Sequence, residues 1–222
     1  MPVPAAAFFD VDGTLTRTTI LHPLLWFQRA HLGKLRFLLW AARALLDIPR
    51  YLWIDRTSRG QLNIVFYCRY AGLNAEELNR WHEQAFAQTL KPRLFPAARD
   101  CLREHRLQGR RIVLVTGGLD FIMHPLAHHI GAADVIANRL VEQNGTLTGE
   151  LDGAPVADEN KGEVIQDYAR KHDIDLKQSF AYSDSIRDLS MLQIVGHPVA
   201  VNPDRRLREL AQECCWPVVA WH

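Results

Sequence analysis

Residues 5–11 form a short apolar run interrupted at Asp10, after which the chain turns on Asp12 and Gly13. A run this short, without polar alternation, is the mark of a strand buried on both faces. Such a strand belongs inside a parallel sheet, and it places a carboxylate at its carboxyl end. Two more runs share that plan. Residues 111–116 end in Gly117-Gly118, and residues 179–183 end at Asp184. Residues 198–201 and 217–220 read as further strands, with helical patterns near 97–107, 119–130, 160–172, 186–195 and 204–214. Strands alternating with helices predict an α/β class, a doubly wound Rossmann-like parallel sheet. Ligands bind such sheets beyond the carboxyl ends of the strands, where these polar residues fall.

Two stretches depart from the alternation. Residues 134–152 read as an antiparallel hairpin at the edge of the core, turning on Asn144-Gly145. Residues 16–92 read as helical throughout, with segments near 20–31, 34–47, 57–70 and 74–90, and with Gly33, Pro49 and Gly72 as breaks. The predicted organisation is an α/β core of residues 1–15 and 93–222, with an inserted all-helical cap, residues 16–92, placed as a lid over the ligand edge.

Composition removes several alternatives. The net charge of +1 gives no global field for nucleic acid. The four cysteines form no CxxC pair and read as reduced thiols. The amino-terminal run lacks a cationic flank and reads as a strand, not a signal peptide. No stretch approaches the roughly 20 apolar residues of a spanning helix. The expected location is cytoplasmic.

Four motifs carry the chemistry. Asp10 and Asp12 converge on one pocket, and their like charges invite a hard cation such as Mg²⁺; alone, the pair also suits an Asx turn. Thr116-Gly117-Gly118 sets a hydroxyl and bare backbone amides before a helix expected near Leu119, an arrangement that binds anions. Lys161 opens a predicted helix and is suited to neutralise a phosphate. Asp184 and Asp188 stand four residues apart on one face of a nascent helix.

These motifs, FFDVDGTL, VTGG, ENKG and YSDSIRD, resemble those of the haloacid dehalogenase superfamily of phosphohydrolases. The chain is most similar to subfamily IB, which includes phosphoserine phosphatase and carries a helical cap after the first motif. The resemblance implies a phosphomonoesterase acting on a small phosphorylated metabolite. In it Asp10 is the nucleophile that forms an aspartyl-phosphate, and Asp12 is the general acid and base. Mg²⁺ is held by the Asp10 carboxylate, the Asp12 carbonyl and Asp184, with Asp188 orienting them. Thr116, Gly117 and Lys161 cradle the phosphoryl oxygens, and Gly118 belongs to the same loop.

Phosphoserine phosphatases carry a glutamate nine residues after the nucleophile that recognises the substrate ammonium; this chain has Thr19. Arg187 stands where they have asparagine, and is a candidate for a second anionic group of the substrate. Arg56 and Arg59 are cap candidates for a substrate carboxylate or phosphate. Residues 20–59 hold seven Lys or Arg against two Asp, a local net of +5. Arg29, Arg36, Arg43 and Arg50 recur every seven residues, one basic stripe if the helix is continuous, with Leu24, Leu35, Leu38, Leu45 and Leu46 broadly opposite. Basic residues beside Trp26 and Trp40 suggest peripheral contact with an anionic membrane. Some relatives that dephosphorylate phosphatidylglycerophosphate share a hydrophobic cap and a YSDS-type motif. The alternatives to a small-metabolite phosphatase are therefore a lipid-phosphate phosphatase and a catalytically silent phosphate-binding regulator. Against the lipid reading stands a cap that buries its leucines on itself and solvates its arginines; against the silent regulator stand the intact Asp10, Asp12, Thr116, Lys161 and Asp184.

Overall fold

The computed structural model describes residues 4–221. In chain order the elements are β1 (Ala6–Phe9), α1 (Leu21–His31), α2 (Lys34–Leu46), α3 (Ile48–Thr57), α4 (Arg59–Tyr67), α5 (Ala75–Thr89) and α6 (Pro96–Leu107). They continue with β2 (Arg111–Leu119), α7 (Asp120–Ile130), β3 (Asp134–Asn138), β4 (Leu140–Gln143), β5 (Thr146–Leu151) and α8 (Asn160–Lys171). The last are β6 (Phe180–Ser183), α9 (Leu189–Gln193), β7 (His197–Val201), α10 (Arg205–Glu213) and β8 (Val218–Val219).

Among the described residues, six strands form one parallel sheet in the order β3-β2-β1-β6-β7-β8. This is the expected Rossmann-like α/β architecture. Because side chains alternate along a strand, β1 feeds two cores. Ala7 and Phe9 join the cluster under α6 and α7, while Ala6 and Phe8 join the cluster with Ile165 of α8 and Leu207 of α10. Burial on both faces is why this strand has no polar residue before Asp10. Winding reverses at β1, with β2 on one side and β6 on the other. The crevice of such a sheet therefore opens over the ends of β1, β2 and β6.

The hairpin is narrower than its sequence suggested. Residues 134–138 are the edge strand β3, parallel to β2, and only β4 and β5 pair antiparallel, in a sheet of their own. Asn144 and Gly145 both have positive φ, as a tight hairpin turn requires. The hairpin reaches the helical segment: Ala75 N–H donates to the Gly145 carbonyl (3.0 Å) and Gly72 N–H to the Leu147 carbonyl (2.9 Å).

The helical segment has an extra helix. The break expected near Pro49 falls at Asp47, between α2 and α3; Pro49 occupies the first turn of α3, where its missing N–H costs nothing. The predicted helix over 57–70 resolves into α4 and a 3-10 turn, started by Ser58, whose hydroxyl accepts from Gln61 N–H. Gly33 (φ +59°) ends the continuity of the basic stripe. Its four arginines divide among α1, α2 and α3.

The segment has two layers. Leu24 and Phe27 of α1, Phe66 and Tyr67 of α4, and Phe86 of α5 belong to the same buried cluster as Phe9 and Leu114 of the sheet. By contrast α2 has no buried residue and α3 buries only Ile54. Leu24 is buried, but Leu35, Leu38, Leu45 and Leu46 are exposed, so the cap does not bury its leucines on itself. No helix among the described residues is long and apolar enough to cross a membrane. The four cysteines are free thiols.

One buried histidine links the fold to pH. His105 is 3 % exposed beneath Phe9. Its Nδ1 accepts from the Arg110 guanidinium (3.2 Å), so the proton sits on Nε2, which faces the Tyr182 hydroxyl (2.7 Å). Burial and Arg110 lower its pKa from 6.5 to about 4. In this window the unfolded chain binds the proton and the folded chain does not, so stability is present above pH 6.5 and falls towards pH 4. Urea unfolding is expected to show a loss of about 3 kcal/mol over that interval from this residue. His105→Gln should flatten the slope; an unchanged slope would refute the assignment.

Candidate active site

Asp10 follows β1 and is almost completely buried, with its N–H donating to the Tyr182 carbonyl of β6 (3.0 Å). Lys161, in the first turn of α8, is 4 % exposed. Its Nζ lies 2.6 Å from Asp10 Oδ1 and 2.8 Å from Asp188 Oδ1. The other oxygen of Asp188 accepts from the Ser183 hydroxyl (2.6 Å). One ammonium thus bridges the first motif and the fourth. Burial alone would lower its proton affinity, but the two carboxylates outweigh burial and raise it.

The carboxylates outnumber that cation. Asp10 is pushed up to about 8, first by burial, with Lys161 opposing and Asp188 and Asp184 adding. Asp184 is pushed up to about 6 by burial and by Asp188. Thr14 Oγ1 donates to Asp184 Oδ1 (3.2 Å). Gly13 has φ +87°, and any Cβ there would collide with the Asp184 carboxylate. Glycine is therefore required twice at that turn, for conformation and for space.

Asp12 sits apart from the ion pair. It accepts from Thr18 Oγ1 (2.6 Å), which is itself hydrogen-bonded to the Thr16 hydroxyl. Burial raises its proton affinity, with Thr18 opposing. Thr16 and Thr18 were not among the sequence candidates, although the run TLTRTT directly after the motif was the available signal.

Gly117 and Gly118 lead into a helix as expected, since α7 begins at Asp120 with Leu119 as its N-cap. They also form a bulge at the end of β2, where the pairing with β3 jumps from Thr116 to Leu119. A bulge lets a strand turn its backbone groups towards a ligand. The Gly117 carbonyl accepts from Tyr67 Oη (2.5 Å) and Asn138 Nδ2 (2.8 Å). Asn138 Oδ1 accepts from Val156 N–H in turn (2.8 Å). A Cβ on Gly117 would come within 2.9 Å of the Asn63 side chain. The helical segment and the core therefore meet at this bulge. Gly118 lies behind it, its N–H bonded to Thr116 Oγ1 (3.0 Å).

These groups line a cavity of about 210 Å³, to which Asp10, Asp12, Thr116, Gly117, Lys161, Asp184 and Asp188 all contribute. Arg59 and Asn63 reach it from α4. Arg56 does not. It is exposed on an outer groove, three residues round the chain from Arg59. Arg187 lines the cavity but is engaged, donating to the Asp55 carbonyl and facing the carboxylates of Asp55 (3.9 Å) and Asp158 (3.8 Å). Asp158 also accepts from Gly60 N–H (2.9 Å). Arg187 thus ties α3 to the core, and Asp158 ties α4, roles that the sequence did not suggest. Asn63 is 1 % exposed with both side-chain polar atoms unpaired among the described residues, so it is a candidate the motifs missed. Its signal was one polar residue within the apolar stretch LNIVFY.

No group of three or more His, Cys, Asp or Glu among the described residues is arranged to hold a metal ion by side chains alone. Mg²⁺ asks for less, since it takes one or two carboxylates and completes its shell with water and substrate phosphate. Asp10 and Asp184 are two oxygen donors whose raised proton affinities signal unmet positive charge. The donor set fits that ion.

The family model for haloacid dehalogenase-like hydrolases matches residues 7–193. A histidinol-phosphatase of Neisseria meningitidis serogroup C is 30 % identical over 230 residues, covering 96 % of this chain and 97 % of its own. A solved structure of a protein of unknown function from Bordetella pertussis Tohama I superposes with a TM-score of 0.86 at 27 % identity, covering 98 % of each chain. A substrate-bound phosphoserine phosphatase shares the fold with a TM-score of 0.69 at 20 % identity, covering 93 % of this chain and 90 % of its own.

Replacing Lys161 with Met would strand two buried carboxylates. Urea unfolding at pH 7 is expected to show a loss of about 3–5 kcal/mol. The loss should shrink at lower pH, where Asp10, whose proton affinity burial raises, is protonated. A deficit under about 1 kcal/mol would mean that Lys161 does not hold the site together.

Proposed function

We propose that this chain, which belongs to the haloacid dehalogenase-like hydrolase family and is a phosphoric monoester hydrolase, works through an aspartyl-phosphate on Asp10. The observation that carries the reading is the Asp10–Lys161–Asp188 bridge in a buried cavity. Lys161 holds Oδ1 of Asp10, which leaves Oδ2 as the attacking oxygen. That oxygen bonds to phosphorus as the bond to the leaving alkoxide breaks. Asp12 supplies the proton to that alkoxide. Its raised proton affinity keeps the proton available, and the Thr18 hydroxyl orients it. In the second half Asp12, now ionised, takes a proton from water. The water oxygen attacks phosphorus, the bond to Asp10 breaks, and inorganic phosphate leaves.

Thr116, the Gly117 amide and Lys161 hold the phosphoryl oxygens, where stabilising charge does most for phosphoryl transfer. Mg²⁺ would be held by the Asp10 carboxylate, the Asp12 carbonyl and Asp184, oriented by Asp188, and when bound it would neutralise the acidic cluster. Residues 16–92 act as a cap, with α4 closing the cavity through Asn63 and Arg59 and excluding water.

Phosphate release is measured with a panel of phosphate esters and Mg²⁺. Asp10→Asn is expected to reduce kcat at least about 1,000-fold, and Asp12→Asn by a similar factor, with KM little changed. Activity surviving in Asp10→Asn would overturn the nucleophile assignment. A chain that binds phosphate but hydrolyses no ester would instead be a silent regulator.

A further inference from the structure

Helices α1–α4 enclose a second chamber of about 460 Å³ beside the catalytic cavity. Its walls are apolar: Leu24 from α1, Trp40 and Ala44 from α2, Leu52 from α3, and Leu62 and Phe66 from α4. Both spaces share Ile20, Asp55 and Arg59, so the chamber begins where the phosphate cavity ends. Asp55 and Arg59 are ion-paired to each other at that opening (2.7 Å). Its volume is that of a ligand site, and hydrocarbon displaces water from such walls favourably.

The chamber opens outward through Leu45, Ile48 and Leu52, all of them exposed. That rim continues into an uncovered apolar face with Leu35, Leu38, Leu39, Leu46 and Trp53, from 63 % to 81 % exposed. Large apolar side chains clustered in this way mark a contact surface. The charge around them is one-sided. Arg29, Lys34, Arg36, Arg43, Arg50 and Arg56 are all exposed, whereas the two acids of residues 20–59, Asp47 and Asp55, face Arg69 and Arg59. A leucine face flanked by unopposed cations complements an anionic lipid surface.

We propose that the chamber binds the hydrocarbon part of an amphiphilic phosphate monoester, a lipid phosphate drawn from an anionic membrane against which α2 and α3 lie. The proposal rests on the phosphatase reading above and gives its substrate class, in place of the small metabolite expected from sequence.

The test compares kcat/KM for glycerol 3-phosphate with that for its hexanoyl, decanoyl and oleoyl monoesters, which share one phosphate group. Each is supplied in phosphatidylcholine vesicles with and without phosphatidylglycerol. The expected result is a rise of at least about tenfold along the series, larger in the anionic vesicles. Ala44→Trp, which fills the chamber, and Leu52→Glu, at its rim, should each remove the chain-length preference. Turnover of glycerol 3-phosphate should stay at the wild-type value in both, which also shows that they fold. Arg36→Glu with Arg43→Glu should remove the vesicle effect alone. Equal kcat/KM along the series in the wild type would overturn the proposal while leaving the phosphatase intact. A dimer that Leu46→Glu dissociates would assign the outer face to a second copy and overturn it too. Inertness towards every ester would remove the phosphatase reading itself, and this inference with it.

Discussion

The structure turns on one buried ammonium. Lys161 is the cation between Asp10 and Asp188, and these three residues come from the first, third and fourth motifs. Burying like charges together is costly, and a single lysine does not cancel the cluster. What the site tolerates is therefore a deficit of positive charge, expressed as carboxylates that hold protons more tightly than they would in water. That deficit is also what makes the site suited to a divalent cation and a phosphate together. The neighbouring details serve the same end. Gly13 gives Asp184 room, Ser183 fixes the far oxygen of Asp188, and Asp204 accepts from Ile186 N–H (2.9 Å) to hold the loop between them.

The helical segment between β1 and α6 is not uniform. Its inner helices share a hydrophobic cluster with the sheet, and Tyr67 bonds to the backbone of the β2 bulge. Arg187 and Asp158 add polar ties from the core to α3 and α4. The outer helices lean on α1 and α4 and are tied by Arg69, which pairs with Asp47 and donates to Tyr51 Oη (2.6 Å). Strong inner anchoring with a weakly packed outer layer leaves a chamber between the two, and leaves leucines that the fold itself does not cover.

Much of the core was legible because its signals are local. The strands are apolar on both faces, so they read as uninterrupted runs, and the motifs follow their ends directly. The hairpin turn was legible because Asn-Gly tolerates the positive φ that it needs. Errors arose where the sequence signal was ambiguous. Residues 134–138 resemble half a hairpin, yet only the neighbouring strand β2 decides that they pair in parallel. Pro49 marked a break, but not the helix that starts on it, because a proline in the first turn of a helix and a proline ending one are the same letter. Gly117 and Gly118 read correctly as the lead-in to α7, but only the register with β3 shows that they are also a bulge.

The site divides along the same line. By itself the sequence determined the fold class, the family and the order of Asp10, Asp12, Thr116, Lys161, Asp184 and Asp188, because all but Lys161, which opens α8, lie close to a strand end whose pattern is local. Only the tertiary structure decided that Arg59 faces the cavity and Arg56 does not, that Arg187 is engaged with Asp55, and that Asn63 and Thr18 belong to the site. It also decided that the leucines of α2 stay uncovered. The physical reason is that these facts depend on which helix faces lie against which partners. An amphipathic pattern records that a helix has an apolar side, but not whether the fold supplies something to cover it.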